Sequence, residues 1–354
     1  MNIAKNVSTT SNRPVQAGLL TLAGVFVALA AAGPAAAQTA AAPAGTNPVA
    51  VVDSMEAVFG VTKAKRRNHT KGVCATGSFS ANAEGAKFSR SPLLAAGNNV
   101  PVVARFSLAG GRPGIPDAAR NPRGLGLQFQ LPGGVMHQMA MLNVPAFAAD
   151  NPVSFHARLD ADRPDPATGK PDPAKQKAVA EQYSDNKALG GWLREHRPPP
   201  SYANAAFFSL HAFKFSNAKN EAKWVKWRFE PRDGVVELSD EAMKAAAPNF
   251  LEAALTERLA KGPAEWDLVL TLAEPGDALD NPTKAWPAGR TEVKVGVLSL
   301  KSSGGDACEA INYDPLVLSA GIEPSADDPV LAFRSGAYAV SWARRLGEAA
   351  AAKQ

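Results

Sequence analysis

The amino-acid sequence predicts an α+β fold in which an eight-stranded antiparallel β-barrel carries inserted and C-terminal helices. Eight segments are rich in β-branched and aromatic residues and partly alternate between apolar and polar positions, as strands do. They fall into two sets of four on either side of residues 144–205, and two of the joins are short enough for antiparallel hairpins. Because a closed barrel has no exposed strand edge, eight consecutive antiparallel strands favour closure.

The predicted strands extend over most of the chain. The first set is Gly72–Ser80, Asn99–Leu108, Gly124–Leu131 and Val135–Asn143, and the second is Ala206–Phe215, Ala222–Glu230, Glu265–Ala273 and Glu292–Leu300. Residues 132–134 form the short join of the first set, and residues 216–221 form that of the second. Apolar and charged residues alternate in residues 227–230, so we expect one face of that strand to be buried and the other to be exposed to solvent.

Helical patterns lie between the two sets of strands and after the sixth strand. Residues 173–197 show one such pattern, and residues 231–260 are mostly helical. A final helix follows Asp328, because an aspartate that can cap a helix stands directly before Pro329, a residue suited to the first turn.

The N-terminus has the features of a cleavable secretory signal. Lys5 and Arg13 precede an apolar run at residues 19–33, which ends near the small-residue site Ala35-Ala36-Ala37. The run is shorter than the roughly 20 residues of a membrane-spanning helix, so we expect export to the periplasm without membrane attachment. The expected segments are a signal peptide at 1–37, a flexible leader at 38–52 and one folded domain at 53–350.

The charge balance gives no sign of a polyanionic partner. The formal charge of +5 falls to +3 when Lys5 and Arg13 are removed with the signal. No basic cluster is interleaved with aromatics as a nucleic-acid groove requires, so we expect no nucleic-acid partner. The short basic run at residues 63–71 is interpreted as a solvated edge or as a contact to small anionic groups. Cys74 and Cys308 could pair in an oxidising compartment, and the sequence leaves this open.

The last predicted helix carries an unusual polar stripe. At about 100° per residue, Arg334, Tyr338 and Arg345 lie within roughly 40° of one another on one helix face. One interpretation is an amphipathic surface helix with its arginines in water. The other is that Arg334 holds Tyr338 as a phenolate, since a neighbouring cation favours the charged form, and a phenolate is a good ligand for ferric iron.

The five histidines are weak evidence when each is taken alone. His69 lies in a basic and polar stretch, and it is either a structural residue of a turn or a functional residue. His137 stands in a methionine-rich strand, where core packing is favoured over copper binding. The remaining three are treated as structural: His156, His196 and His211.

Taken in order, six short motifs resemble those of the haem catalase family and, more closely, its small exported branch, the catalase-related peroxidases. The resemblance extends from about residue 53 to residue 347, nearly all of the expected mature chain. Six motifs in the family's order are far more specific than any one of them. They are Arg66–Gly72, Arg105–Ser107, Asn121–Gly124, Leu142–Phe147, Thr283–Pro287 with Asp314–Ser325, and Arg334–Gly347.

The resemblance implies a haem-binding barrel with haem b (heme b) as cofactor. Its iron would be ligated by Tyr338, with Arg334 donating a hydrogen bond to the phenolate. Three arginines are implied as partners of the haem carboxylates, namely Arg66, Arg105 and Arg345. Phe155 is expected to line the distal pocket and to exclude water.

The same resemblance implies a catalytic set on the opposite side of the cofactor. His69 would take a proton from the bound peroxide and return it to the leaving oxygen. Ser107 would orient His69, and Asn143 would position the peroxide. The implied partners are a small-molecule peroxide and an organic reductant, and the expected assembly is a monomer or a small homo-oligomer.

The sequence also departs from the family's pattern. Asn68 stands where catalases usually have an apolar residue, Leu142 replaces the first residue of an Asn pair, and Trp342 occupies a position that is often histidine. Without the long arm and C-terminal extension of large catalases, a shallower site is expected. We therefore expect peroxidase activity on hydrogen peroxide and organic hydroperoxides. The alternatives are a true catalase and a non-catalytic exported barrel that carries haem or another hydrophobic ligand.

Overall fold

The computed structural model describes residues 45–352, and the expected signal peptide at 1–37 lies outside them. The β-strands of this part are β1 (Gly72–Ala81), β2 (Asn99–Leu108), β3 (Arg123–Gln130), β4 (Met136–Leu142), β5 (Phe207–Phe208), β6 (Phe213–Ser216), β7 (Ala222–Pro231), β8 (Ala264–Leu272), β9 (Glu292–Ser303) and β10 (Ile322–Pro324). Its α-helices are α1 (Pro48–Phe59), α2 (Gly85–Phe88), α3 (Pro152–Ala161), α4 (Pro173–Gln182), α5 (Lys187–Glu195), α6 (Asp240–Ala245), α7 (Phe250–Ala260) and α8 (Pro329–Ala351).

The strands form one closed antiparallel barrel. Neighbours pair in chain order from β1 to β5, β5 pairs with β7, and the ring closes through β8 and β9 back to β1. The predicted α+β fold with an eight-stranded antiparallel barrel is confirmed, and every predicted strand overlaps an observed one. Buried aromatic side chains fill the barrel, among them Phe79, Phe106, Phe129, Phe207, Phe229 and Trp266.

The predicted fifth strand, residues 206–215, is broken into β5 and β6. Both pieces pair with β7, β5 near its C-terminal end and β6 near its N-terminal end. Between them Leu210 has φ +63°, a left-handed conformation that cannot continue a strand. The break places His211 in a buried position, where it is 1% exposed. The short strand β10, which was not predicted, pairs with β6.

Of the predicted flexible leader at residues 38–52, residues 38–44 lie outside the described residues. The structure departs from the prediction in the remainder, because α1 begins at Pro48. The Asn47 side chain accepts a hydrogen bond from the Ala50 backbone N–H at 3.0 Å, and the proline occupies the first turn. Val51 and Val52 are buried, since α1 packs against α3 and α8. The Asn-Pro pair is a helix-start signal that the sequence already contained.

The helical predictions are confirmed with changes of detail. The pattern at residues 173–197 is two helices, α4 and α5, and α3 was not predicted. Asp328 caps α8 as expected, since its side chain accepts from the backbone N–H groups of Val330 and Leu331 at 3.0 and 2.9 Å. Among residues 45–352, none of the helices has both the length and the apolar character needed to cross a membrane.

A disulfide joins Cys74 on β1 to Cys308, and both cysteines are buried. The structure therefore contains the bridge that the sequence left open. In the methionine-rich strand, His137, Met139 and Met141 are buried, which supports packing rather than copper binding at these positions.

Candidate active site

A cavity of about 200 Å³ lies against the outer face of β2–β4. Phe106 and Leu125 belong to the barrel core, so strand alternation turns Ser107 and Gly124 outward to the cavity. The other walls come from α1, α3, α8, the loop before β1 and the segment 312–313. The site thus lies between the barrel and the helices packed on it.

His69 projects into this cavity from a loop held in a strained conformation. Its φ of +57° is left-handed, which is uncommon for a non-glycine residue. Its backbone N–H donates to Asn68 Oδ1 at 2.8 Å, and its carbonyl accepts from Arg105 Nη1 at 2.9 Å. A Cβ at position 124 would lie 3.0 Å from the imidazole, so Gly124 makes room for the ring. The local structure therefore fixes where the ring points.

The imidazole of His69 is oriented by one hydrogen bond and kept neutral by burial. Nδ1 lies 3.0 Å from Ser107 Oγ, which leaves Nε2 as the nitrogen available to a substrate. Burial, reinforced by the charges of Arg105, Arg334 and Arg66, lowers the pKa of His69 from 6.5 to about 3. A neutral imidazole can accept a proton near pH 7.

The loop before His69 is tied to the helices by ion pairs around the buried Arg67 side chain. Arg67, which is 4% exposed, lies 2.6 Å from Glu56 of α1 and also pairs with Glu348 of α8. Arg344 of α8 bonds to the same Glu56 at 3.0 Å. The interpretation of the basic run at residues 63–71 as a solvated edge is therefore wrong for Arg67, because its charge is used inside the protein.

On α8, Tyr338 and Arg334 line the same cavity. Arg334 Nη2 donates to the Tyr338 hydroxyl at 2.7 Å, across one turn of the helix. Arg345 also lines the cavity and is 3% exposed, so the polar stripe of this helix faces inward. The alternative of an amphipathic surface helix with its arginines in water is wrong for these residues.

His211 was treated as structural, yet the structure ties it to the start of α8. Its Nδ1 lies 2.6 Å from Asp328 Oδ2, and each side chain is only 1% exposed. Burial lowers the pKa of His211, Asp328 opposes this shift, and the charge of Arg334 adds to it. A buried imidazole between β5 and β6 thus links the barrel to the cap of α8, the helix that carries Tyr338. No local signal in the sequence marked this pair, because residues 206–215 do not show the break in the predicted fifth strand.

Three arginines lie together at one end of the cavity: Arg66, Arg105 and Arg345, here named the arginine cluster. They face residues 308–313, here named the strap, which was not predicted to belong to the site. Glu309 of the strap lies 2.9 Å from Arg66 Nη1 and 3.7 Å from Arg105 Nε. Burial and the charge of Arg66 lower the pKa values of Arg105 and Arg345 to about 10, and Glu309 opposes both shifts. The carboxylate therefore helps to keep the buried guanidiniums charged.

Phe155 and Asn143 differ in their placement. Phe155 lines the cavity and stacks on Phe147, with ring centroids 5.6 Å apart. Asn143 is not among the cavity-lining residues. Its Oδ1 accepts a hydrogen bond from the Arg123 backbone N–H at 2.6 Å, which fixes the amide plane, and among residues 45–352 its Nδ2 has no hydrogen-bond partner. The predicted contact between Asn143 and peroxide stays a prediction.

The residues of the cavity fit haem. Two buried nitrogens, Arg105 Nε and Arg334 Nη1, have no hydrogen-bond partner within the described residues, so donors remain for a ligand. The lining is largely apolar, as the macrocycle requires, and a tyrosine oxygen backed by a guanidinium suits ferric iron. The arginine cluster supplies partners for two carboxylates, and Glu309 would balance the third positive charge.

Comparison with known proteins relates this chain to catalases and catalase-related peroxidases. A sequence profile of the family described as Catalase matches residues 39–352. A protein of Synechococcus elongatus described as a catalase-related peroxidase is 54% identical over 307 residues, which is 86% of this chain and 90% of that protein. A protein of Mycolicibacterium paratuberculosis with the same description is 31% identical, over 86% of this chain and 96% of its own length.

Larger catalases match over a part of their length. A catalase of Schizosaccharomyces pombe is 29% identical over 79% of this chain and 57% of that protein. The crystal structure of a fungal catalase superposes with a TM-score of 0.71 and 25% identity, over 80% of this chain and 60% of that one. With the profile match, the barrel and the peroxidase relatives in agreement, this chain belongs to the catalase family and has a peroxide-related oxidoreductase function.

Proposed function

We propose that this chain is a haem-dependent peroxidase that reduces hydrogen peroxide and organic hydroperoxides and oxidises an organic electron donor. One observation carries the proposal: His69 and Tyr338 line the same cavity, and each is held by its own hydrogen-bond partner, Ser107 and Arg334. A protein that only carried haem would need Tyr338, but it would have no use for an oriented imidazole kept neutral in a strained loop.

The cofactor would be haem b, and ferric haem supplies the redox chemistry when it is bound. Tyr338 would ligate the iron, and the hydrogen bond from Arg334 favours negative charge on the tyrosine oxygen. The arginine cluster would pair with the haem carboxylates through charge-assisted hydrogen bonds. Phe155 and Phe147 limit the entry of water on their side of the cavity.

His69 would move the proton. For Nε2 to accept the peroxide proton, Nδ1 must carry the ring hydrogen and donate it to Ser107 Oγ, which the 3.0 Å distance permits. His69 then returns the proton to the distal oxygen, which leaves as water or as an alcohol. Two donor molecules each supply one electron and one proton to complete the reduction.

Two observations favour peroxidase over catalase activity. The two relatives that match over most of their length are described as catalase-related peroxidases, and the catalases match over a smaller share of theirs. The cavity wall is mainly apolar, which suits the organic group of a hydroperoxide. Vigorous oxygen release from hydrogen peroxide without any donor would instead support a true catalase.

The decisive experiment compares two histidine variants of the purified haem protein. His69→Ala is expected to keep haem and to lose peroxide turnover by a factor of about 10² to 10⁴, the usual contribution of a general acid–base group. His156→Ala is the matched control, since His156 is partly buried but bonds to Thr46 and Ser54 and does not line the cavity. Unchanged turnover in His69→Ala would favour the carrier alternative.

We also propose that the mature protein works in the periplasm. The signal-like pattern of residues 1–37 supports this, and so does the Cys74–Cys308 bridge, because disulfides persist in oxidising compartments. Fractionation of cells that express the full chain tests the proposal. Processed protein in the periplasmic fraction is the expected result, and unprocessed protein in the cytoplasm would contradict it.

A further inference from the structure

The strap is held by the same arginines that face the cavity. Arg66 Nη2 donates to the carbonyls of Cys308 and Ile311 at 3.0 and 2.6 Å. Arg345 donates to the carbonyls of Glu309 and Ile311, the latter at 2.9 Å. Because guanidinium groups are planar and rigid, these bonds decide which N–H groups remain for a ligand. The position of the strap therefore sets the orientation of the arginine cluster.

The strap has no regular secondary structure of its own, and the disulfide fastens its first residue to the barrel. On the barrel side, Cys74 stands opposite Arg105 in the β1–β2 register. The Cys308 backbone N–H also donates to Cys74 Sγ at 3.1 Å. The bridge thus joins the strap to the strand that lies next to one of the arginines.

The far end of the strap enters the cavity wall. Tyr313 has φ +55° and lines the cavity together with Asn312. A Cβ at Gly126 would lie 2.8 Å from the Tyr313 ring, so the ring lies directly on β3. The strap is therefore fixed by a covalent bond at one end and by close packing at the other, with the arginine contacts between them.

We propose that the Cys74–Cys308 disulfide is a positioning element of the cofactor site, because it holds the strap where Arg66 and Arg345 can pair with the haem carboxylates. This inference rests on the proposed haem site. The barrel itself does not need the bridge, since β1 is paired along its length with β2 and also with β9. The arginine cluster does need an anchored partner, because three like charges gathered in a buried place repel one another.

The test measures how fast haem leaves the protein. The double variant Cys74→Ala/Cys308→Ala, loaded with haem, is mixed at neutral pH with excess apomyoglobin, and no peroxide is added. We expect haem loss about tenfold faster than in the wild type, the size of one lost charge-assisted hydrogen bond. The absorption spectrum of the remaining ferric haem should stay that of the wild type, because Tyr338 is untouched.

A matched control separates positioning from general stability. Leu255→Ala removes a fully buried side chain of α7 that belongs to the main hydrophobic core and not to the separate cluster of Cys74, Cys308 and Tyr313. It should lower the melting temperature without faster haem loss at 25 °C. A second variant, with two glycines inserted between Ala310 and Ile311, keeps the bridge but displaces the strap, and should lose haem as fast as the double variant.

Each result bears on the proposal. Wild-type haem loss in the bridge-free or the lengthened protein overturns it, and so does equally fast loss in Leu255→Ala. A barrel that cannot form without the bridge would also overturn it, because the bridge is assigned to the arginines and not to the barrel. Protein that binds no haem at all would refute the proposed function, whereas haem retained equally well without the bridge refutes only this inference.

Discussion

Ser107→Ala tests whether the orientation of His69 matters for the reaction. The serine is 5% exposed, and its Oγ lies 3.0 Å from Nδ1 of the imidazole. Removing the hydroxyl leaves the Nδ1–H group buried without a partner, which costs about 1–3 kcal/mol. If that cost falls on the transition state, the rate of reaction with peroxide drops by a factor of about 5 to 150.

The assay is rapid mixing of the ferric haem protein with an alkyl hydroperoxide, followed by absorbance. Ser302→Ala serves as control, because its hydroxyl forms a similar hydrogen bond to Thr76 at 2.6 Å on the exposed surface of the barrel. Haem content should be unchanged in both variants. A Ser107→Ala protein that reacts as fast as the wild type would refute the role of this hydrogen bond.

Three further predictions concern buried groups of the barrel, of the α8 cap and of the cavity. Burial lowers the pKa values of His69 and His137 from 6.5 to about 3, so both stay neutral in the folded state and become protonated on unfolding below pH 6.5. The free energy of unfolding should therefore be highest above pH 6.5 and fall by roughly 2 kcal/mol per histidine down to pH 5. Urea unfolding at a series of pH values measures this. Asp328→Asn keeps the cap of α8 but weakens the buried hydrogen bond to His211. It should lower the free energy of unfolding by about 1–3 kcal/mol. An unchanged midpoint of urea unfolding would contradict this. Tyr338→Phe should change the ferric absorption spectrum, and an identical spectrum would remove Tyr338 from the iron.

The barrel could be predicted from local sequence, because strand alternation and short joins are local properties. The break in the fifth strand could not, since it depends on Leu210 adopting a left-handed conformation that residues 206–215 do not signal. The start of α1 was missed for another reason. Its Asn-Pro signal stands in an Ala- and Pro-rich stretch that also has the composition of a linker.

Most of the candidate site was predictable where residues form a motif, although the motif residue Asn143 does not line the cavity. It was not predictable where residues meet only in space. His69, Ser107, Arg334 and Tyr338 stand in motifs of the family, and the structure brings them to one cavity. Glu309 belongs to no such motif, and it directly follows Cys308, whose disulfide partner Cys74 is 234 residues away. Sequence separation of that size carries no pairing information by itself.

Asn68, which departs from the family's usual apolar residue, has a physical explanation in the fold. A non-glycine residue with a left-handed backbone costs roughly 1 kcal/mol, so the conformation of His69 must be supported by its surroundings. Asn68 Oδ1 accepts from the His69 N–H and also from the Gly110 N–H, at 2.8 and 2.7 Å. Arg105 binds the His69 carbonyl from the other side. The strain that aims the imidazole into the cavity is therefore balanced by part-buried hydrogen bonds with Asn68 and Arg105. The same arginine that anchors this loop belongs to the cluster that faces the strap.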